Sequence, residues 1–169
     1  EKRGLTFTYV NTADAAATEA AIKSNTKALY IETPSNPTMQ ITDLAKMKSL
    51  ADKYNLLLIV DNTFLSPYFQ KPIRFGADLV IHSGTKFLGG HNDTLAGFFI
   101  YLKRGSCSKN PLSDKTVGSC LAPFDSYLLI RGIKTLPIRM ERQQENALAI
   151  AKWLQTQKKI KQVYYIGLE

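Results

Sequence analysis

The feature that most constrains the fold is an uninterrupted apolar run, Leu56 to Val60, which is followed at once by Asp61. A strand that is apolar at every position is typical of a parallel sheet covered on both faces. Two similar short runs, Ala28 to Ile31 and Leu79 to Ile81, lie on either side of it in the sequence. The sequence therefore predicts an α/β fold, with a mostly parallel sheet flanked by helices.

Polar residues follow each of these runs at the point where the predicted strand ends. Asn36 lies in the segment Glu32 to Thr38, whose two prolines favour a fixed, extended loop. Asp61 follows the second run, and Ser83 to Lys86 follow the third. Because ligands of open α/β sheets bind beyond the carboxyl ends of the strands, we expect these residues to reach one site. A lone Asp after a strand also commonly closes a turn, so that alternative stays open for Asp61.

Lys86 stands in a glycine-rich segment, Asp78 to Asp93, directly after the third apolar run. Three glycines there would let the backbone turn sharply and approach a ligand closely. They are Gly84, Gly89 and Gly90. The hydroxyls of Ser83 and Thr85 would face the same side if the strand continued through them. These local features fit a solvated loop lysine equally well.

The first forty residues predict two further elements. Thr6 to Val10 alternates polar with apolar residues, which predicts a strand. Thr12 or Asp14 is then predicted to cap an alanine-rich helix that runs to Ile22.

The middle of the chain predicts a helix and a strand. Thr42 or Asp43 is predicted to cap a helix that ends near Asn55, because apolar residues recur there at helical spacing. Leu95 to Tyr101 is a further strand candidate, and Lys103 to Gly118 has the composition of an exposed loop.

The last third of the chain predicts mainly helix. From Asp125 the apolar residues recur at helical spacing and are interrupted by Pro137, which fits one long kinked helix or two helices. Val163 to Ile166 predicts a strand.

Bulk composition narrows the class of protein. In 169 residues, 44% are hydrophobic and 21% charged, as in globular domains. We expect no membrane segment, because no run approaches the roughly 20 apolar residues of a spanning helix, and a cytoplasmic location follows as the default. Cys107 and Cys120 predict neither a disulfide framework nor a metal site. The net charge of +8 raises nucleic-acid binding, but its lysines cluster poorly, so we expect none.

Asp61 and Lys86 would together suit one kind of cofactor. A carboxylate beside a basic ring nitrogen favours its protonated form, which makes the ring an electron sink. A lysine amine whose proton affinity is lowered can form a Schiff base with an aldehyde. With Ser83 and Thr85 binding a phosphate, these are the requirements of pyridoxal phosphate.

Several motifs in order resemble the Cys/Met metabolism family of pyridoxal-phosphate enzymes, which includes cystathionine synthases and lyases. They are Glu32-Thr-Pro-Ser-Asn-Pro, Val60-Asp-Asn-Thr-Phe, Pro67-Tyr, Phe75-Gly-Ala-Asp, His82-Ser-Gly-Thr-Lys-Phe-Leu-Gly-Gly-His and Leu129-Ile-Arg-Gly-Ile-Lys-Thr-Leu. The resemblance covers Gly4 to Leu168. It implies an incomplete fold type I large domain over residues 1–122, and a connecting helix and the start of a C-terminal α+β domain over residues 123–169.

The resemblance also implies residue roles. Lys86 is similar to the Schiff-base lysine that later moves protons, and Asp61 to the partner of the pyridinium nitrogen. Thr63 is similar to a supporting cofactor contact, Asn36 to the residue near the phenolic oxygen, and both Ser83 and Thr85 to phosphate ligands. The resemblance assigns no role to His82 or His91, for which packing or a turn hydrogen bond is an alternative to catalysis.

The resemblance implies a trans-sulfuration enzyme of the cystathionine lyase or cystathionine γ-synthase kind, working on a small amino-acid substrate as a homotetramer. An O-acetylhomoserine sulfhydrylase or a methionine γ-lyase is the alternative, and a non-catalytic basic domain that binds phosphate or nucleic acid is the alternative of another class. Because family members are longer, we expect an internal fragment, with the substrate-carboxylate and neighbouring-subunit residues elsewhere. The fragment alone is therefore expected to have little activity.

Overall fold

A computed structural model describes residues 4–101 and 120–168. Its sheet has four strands in the order β1-β2-β3-β4. They are β1 (Ala28–Glu32), β2 (Leu57–Asp61), β3 (Leu79–Ser83) and β4 (Gly97–Tyr101). The first three strands are parallel and β4 is antiparallel to β3. The prediction of a mostly parallel α/β sheet is confirmed.

Helices connect the strands and follow the last one. They are α1 (Ala15–Ala20), α2 (Leu44–Lys53), α3 (Ser66–Phe69), α4 (Pro123–Ile133) and α5 (Leu136–Gln155). A 3₁₀ turn spans Pro72–Phe75, and a π-helical turn spans Gly84–Leu88. The predicted loop at Lys103 to Gly118, with Cys107, lies outside the described residues.

The main core lies between α2 and one face of the sheet. Leu58 and Val60 of β2 are fully buried there, and Met47 and Ala51 of α2 pack against them. The Asp43 side chain accepts a hydrogen bond from the Lys46 N–H and so caps α2. The helix is therefore positioned by its apolar stripe and by its cap, as the sequence predicts.

The opposite face of the sheet is open within the described residues. Tyr30 is 57% exposed and Leu57 is 52% exposed on that face. The apolar run predicted a sheet covered on both faces. Within the described residues, only the face that packs against α2 is covered.

Two predicted strands are wrong. Thr6 to Val10 and Val163 to Ile166 have no strand structure, and they pair with none of the four described strands. Tyr9 is 93% exposed and Tyr164 is 79% exposed, so neither segment buries its apolar residues. Alternation alone does not make a strand, because the backbone groups need a neighbouring strand as partner.

The C-terminal helices form a second small core. Two helices are present, not one kinked helix. Pro137 lies in the first turn of α5, where the missing N–H of proline costs the helix no hydrogen bond. Leu129, Leu136 and Met140 pack there against Leu88 of the π-helical turn. The helices after β4 therefore contact the turn that carries Lys86. The domain boundary at residues 122 and 123 stays a prediction.

Candidate active site

Asp61 is the last residue of β2 and is half-buried on the open face of the sheet. Its Oδ1 accepts hydrogen bonds from the Thr63 N–H at 3.0 Å and from the Thr63 hydroxyl at 2.6 Å. The Tyr30 hydroxyl donates to Oδ2 at a longer 3.3 Å. The carboxylate is therefore held in one orientation, with one oxygen firmly bound and the other weakly bound.

The Thr63 hydroxyl also links two strand ends. It accepts a hydrogen bond from the Ser83 N–H at 2.8 Å while it donates to Asp61. A single hydroxyl can do both, because it has one proton and two lone pairs. The end of β3 is thereby fixed relative to the Asp61 carboxylate.

Lys86 lies in the π-helical turn that begins directly after β3. Its backbone is not helical, with φ −89° and ψ −119°, and its residue is exposed. Among the described residues, no hydrogen bond or ion pair engages its amine. The turn therefore presents an accessible lysine at the carboxyl edge of the sheet.

The three glycines in and after this turn are closely packed by neighbouring parts of the chain. A Cβ at Gly84 would lie 2.8 Å from the Ala96 Cβ, and one at Gly90 would lie 2.2 Å from the Arg139 guanidinium. At Gly89 the nearest atom would be the Gly84 carbonyl oxygen at 2.9 Å. These glycines make room for neighbouring parts of the chain, and Gly90, with φ +78°, also gives the sharp turn that was expected. Their close approach to a ligand stays a prediction.

Ser83 and Thr85 differ in what their hydroxyls bind. Thr85 lies in the turn, so the expectation that both hydroxyls share one strand face is wrong. The Thr85 hydroxyl accepts from the Ala96 N–H at 3.0 Å and donates to the Ala96 carbonyl at 3.3 Å. The Ser83 hydroxyl has no partner within residues 4–101 and 120–168. Ser83 is therefore free to donate to an anion, whereas Thr85 must first give up a long hydrogen bond.

Asn36 lies in the exposed loop after β1. The loop is ordered by a 2.7 Å hydrogen bond between the Ser35 and Thr38 hydroxyls. Because β1 is parallel to β2, with Glu32 opposite Asp61, the loop begins at the same edge of the sheet as the carboxylate. No described hydrogen bond joins the Asn36 side chain to Asp61 or Lys86.

A buried amide network lies beneath Asp61, and the sequence analysis missed it. The Asn62 side chain is fully buried and donates to the carbonyls of Ser66 and Gln70, while its own oxygen accepts from the Gln70 amide. The Gln70 amide also donates to the Thr33 carbonyl, at the start of the Asn36 loop. The available signal was alternation: with Asp61 and Thr63 on one side of the chain, Asn62 has to point the other way.

The two histidines differ in burial and in hydrogen bonding. His82 is 4% exposed, and its Nδ1 has no partner in the described part of the chain. Burial holds the pKa of His82 below its usual value, against the opposing effects of the Asp61 carboxylate and the Asn62 backbone. His91 Nδ1 hydrogen-bonds the Gly89 carbonyl at 2.8 Å, so that ring closes a turn.

Tyr30 is the other titratable group beside Asp61. Partial burial raises the pKa of its hydroxyl above the usual value, and the negative charge of Asp61 adds to the shift. Tyr30 therefore stays a proton donor to Asp61 at neutral pH.

Metal and membrane features are missing from the described part of the chain. No three His, Cys, Asp or Glu side chains there are placed to hold a metal ion. No helix there is long and apolar enough to cross a bilayer.

The residues present fit part of a phosphate-bearing cofactor with a basic ring nitrogen. Asp61 offers a fixed carboxylate with one weakly bound oxygen, Lys86 offers a free amine, and Ser83 offers a free hydroxyl. A single free hydroxyl is too little for a phosphate, because Thr85 and the N–H groups of Gly84 and Thr85 all bond Ala96. The described residues thus offer a carboxylate, a lysine amine and one free hydroxyl to such a cofactor.

An open, mostly parallel sheet with polar groups beyond its strand ends is the architecture of α/β domains that bind their ligands at the sheet edge. The chain belongs to the family of Cys/Met metabolism PLP-dependent enzymes, whose model matches residues 1–169. The family recognised from the sequence motifs is therefore confirmed, and with it the class, an enzyme family that depends on pyridoxal phosphate.

Relatives with three different names resemble the chain. The cystathionine gamma-synthase of Haemophilus influenzae is 53% identical over 157 residues, which are 93% of this chain and 42% of that protein. The cystathionine beta-lyase of Coxiella burnetii is 42% identical over 166 residues, 98% of this chain and 43% of that protein. The crystal structure of cystathionine gamma-lyase from Lactobacillus plantarum complexed with L-serine has a TM-score of 0.85 at 45% identity, covering 96% of this chain and 42% of that one.

The chain spans about two fifths of the length of the curated relatives it matches. The comparisons establish the family and the fold, since both the sequence and the structure match over nearly the whole chain.

Proposed function

We propose that the full-length protein is a pyridoxal-phosphate-dependent trans-sulfuration enzyme that acts on sulfur amino acids. It breaks or forms a C–S bond by β- or γ-elimination or replacement, as a cystathionine β- or γ-lyase or a cystathionine γ-synthase does. The observation that carries the proposal is the Asp61 carboxylate, fixed by Thr63, beside the strand end that leads to the free amine of Lys86. The names of the relatives support the choice of reaction.

Asp61 and Thr63 work as a pair in this proposal. Pyridoxal phosphate, when bound, withdraws electrons from the carbon that bears the substrate amine and so makes its proton acidic. The Asp61 carboxylate stabilises a protonated ring nitrogen by its negative charge. Thr63 keeps that carboxylate in place, because its N–H and hydroxyl both donate to Oδ1.

Lys86 holds the cofactor through its amine and later moves a proton. As a free amine, Lys86 would be the base that takes the proton from the substrate α-carbon and, as an ammonium, the acid that delivers a proton further along the substrate. Ser83 donates its free hydroxyl to the phosphate, and Thr85 joins it if its hydrogen bond to Ala96 is released. Asn36, in the loop after β1, would be the contact of the cofactor's phenolic oxygen.

A homotetramer in the cytoplasm is also proposed, from the family resemblance. Light scattering of the full-length protein coupled to size exclusion measures the assembly directly. A monomer at micromolar concentration would contradict it.

The proposal is tested by locating the cofactor. The full-length protein is mixed with pyridoxal phosphate, reduced with borohydride and digested, and the modified peptide is mapped by mass spectrometry. The modification is expected on Lys86, and it is expected to vanish in Lys86→Ala. Lys46→Ala, which removes an exposed lysine of α2, is the matched control and should keep it. A modification elsewhere, or none, overturns the proposed function.

The substrate is tested separately. The full-length protein is assayed with cystathionine, O-acetylhomoserine and methionine, and ammonia, keto acid and thiol products are measured. Cleavage of cystathionine identifies a lyase, and its formation from a homoserine ester and cysteine identifies a synthase. Activity only on O-acetylhomoserine with sulfide, or only on methionine, would replace the proposed reaction by one of those two alternatives.

A further inference from the structure

Arg139 of α5 lies against the turn that carries Lys86. Its Nη1 donates to the Phe87 carbonyl at 2.8 Å and its Nη2 to the Gly132 carbonyl at 2.9 Å. Its Nε donates to the Thr135 hydroxyl at 3.0 Å. The guanidinium therefore joins the residue after Lys86 to the junction between α4 and α5, using all three of its nitrogens.

Close backbone packing surrounds these bonds. A Cβ at Gly90, where φ is +78°, would lie 2.2 Å from the Arg139 Nη1. A Cβ at Gly132 would lie 2.2 Å from the Gly89 carbonyl oxygen and 2.9 Å from the Leu88 carbonyl oxygen. The Arg139 guanidinium and the Gly132 backbone thus pack directly against the backbone of residues 88–90.

The contacts reach Lys86 through its own backbone. The Lys86 carbonyl accepts from the Gly90 N–H at 2.8 Å, and Gly90 is the residue beneath the guanidinium. On the other side, the Phe87 ring packs edge-on against Phe64, at 6.3 Å between ring centres. Phe64 directly follows Thr63, which holds Asp61. Phe87 of the turn is therefore in contact both with Phe64, which follows the Asp61 strand end, and with Arg139.

We propose that Arg139 is a positioning residue for Lys86: its hydrogen bond to the Phe87 carbonyl fixes the turn and thereby the direction in which the lysine amine enters the cofactor site. This inference rests on the proposed function, in which Lys86 holds the cofactor and moves the substrate proton. A misplacement of about 1 Å can lower a catalysed rate by about 100-fold, so the backbone of the turn has to be held closely. The fork of donors explains why an arginine stands there, because a lysine ammonium cannot reach three acceptors in a fixed plane.

The competing explanation is that Arg139 only adds stability. Leu88 already packs on Leu129, Leu136 and Met140, and these contacts alone would then order the turn. A purely stabilising arginine would change how much protein is folded, but the folded molecules would keep the wild-type turn and the wild-type lysine.

The test compares three variants of the full-length protein: Arg139→Ala, Arg139→Lys and Arg142→Ala. Arg142 is the matched control, because it lies on the same helix, is 73% exposed and pairs only weakly with Glu145 at 3.6 Å. Hydrogen exchange of the amides at 84–90 is measured without cofactor. The pH midpoint of the visible band of bound pyridoxal phosphate, kcat and KM are measured with it.

In Arg139→Ala, exchange at 84–90 is expected to rise about 10- to 100-fold, because hydrogen bonds from a charged donor are lost. The midpoint of the visible band is expected to move, and kcat to fall about 10- to 100-fold while KM changes less than about 3-fold. Arg139→Lys keeps the charge and the aliphatic stem but not the fork, and is expected to resemble Arg139→Ala. It also serves as the main variant if Arg139→Ala does not fold.

Two results overturn the inference. In the first, Arg139→Ala unfolds more easily, yet its exchange at 84–90 and its band midpoint match those of Arg142→Ala. In the second, Arg139→Lys matches the wild type in exchange, band midpoint and kcat. The positive charge of the side chain, and not its fork of donors, would then be what matters. A wild-type protein without a borohydride-stable modification on Lys86 overturns the proposed function instead, and exchange at 84–90 then still decides whether Arg139 orders the turn.

Discussion

Replacing Asn62 with alanine tests whether the buried amide network supports the Asp61 strand end. The substitution removes the donor to the Ser66 carbonyl, at 3.1 Å, and the donor to the Gln70 carbonyl, at 2.8 Å. The Ser66 carbonyl still accepts from the Gln70 N–H at 3.2 Å, so only the Gln70 carbonyl is left without a donor among the described residues. The Gln70 side-chain amide keeps its bond to the Thr33 carbonyl, so it adds little to the loss. Because a buried carbonyl without a donor costs about 1–3 kcal/mol, we expect the free energy of unfolding to fall by about 1–3 kcal/mol.

The free energy is measured by urea denaturation of the full-length protein without cofactor, followed by circular dichroism. Asn146→Ala is the matched control, because Asn146 is exposed on α5, where alanine is the better helix former. That control is expected to change the free energy by less than about 0.5 kcal/mol. An Asn62→Ala variant no less stable than the control would refute the reasoning, since the network would then have no energetic role.

Three further predictions concern the site and its support. Asp61→Asn is expected to lower kcat of the full-length enzyme about 100-fold, because the fixed negative charge is lost; steady-state assays check this, with exposed Asp52→Asn as control. Gly132→Ala is expected to cost about 1–3 kcal/mol in urea denaturation, since its Cβ would overlap the Gly89 carbonyl, whereas Gly97→Ala, 3.8 Å from its nearest atom, should be tolerated. Burial lowers the pKa of His82 in the folded protein. As the pH falls below about 6.5, the unfolded chain therefore protonates this histidine before the folded protein does, and the folded protein loses stability. In thermal melts between pH 7 and 5, His82→Gln should lose less stability than the wild type; an equal loss would contradict the assignment.

The three parallel strands, which the sequence predicted correctly, are those whose apolar runs supply their own burial signal. Leu58 and Val60 are fully buried because the whole run is apolar, and Asp61 could be placed because it ends that run. Thr6 to Val10 has the pattern of a strand, but pairing depends on a partner that the segment does not encode. Local pattern therefore predicts where a strand is possible, and the tertiary structure decides whether one forms.

The supporting contacts of the site could not be predicted in the same way. Arg139 and Phe87 are 52 residues apart, and no periodicity relates an arginine in one helix to a carbonyl in a distant turn. The bond from the Ser83 N–H to the Thr63 hydroxyl depends likewise on how closely the ends of β2 and β3 approach. Sequence identified the groups proposed to meet the ligand, because chemistry restricts their residue types, but it did not identify the groups that hold them in place.

The glycines around Lys86 connect these two kinds of residue. Gly84 gives room to Ala96 and Phe98 of the β4 strand end, and Gly90 gives room to Arg139. Both glycines are needed because other parts of the protein pack closely on the turn. The residues packed there come from β4 and its preceding residue, from α4 and from α5, which lie on both sides of the predicted domain boundary. If Arg139 positions Lys86 as proposed, a change in how the C-terminal helices pack on the turn should therefore alter the reactivity of the lysine.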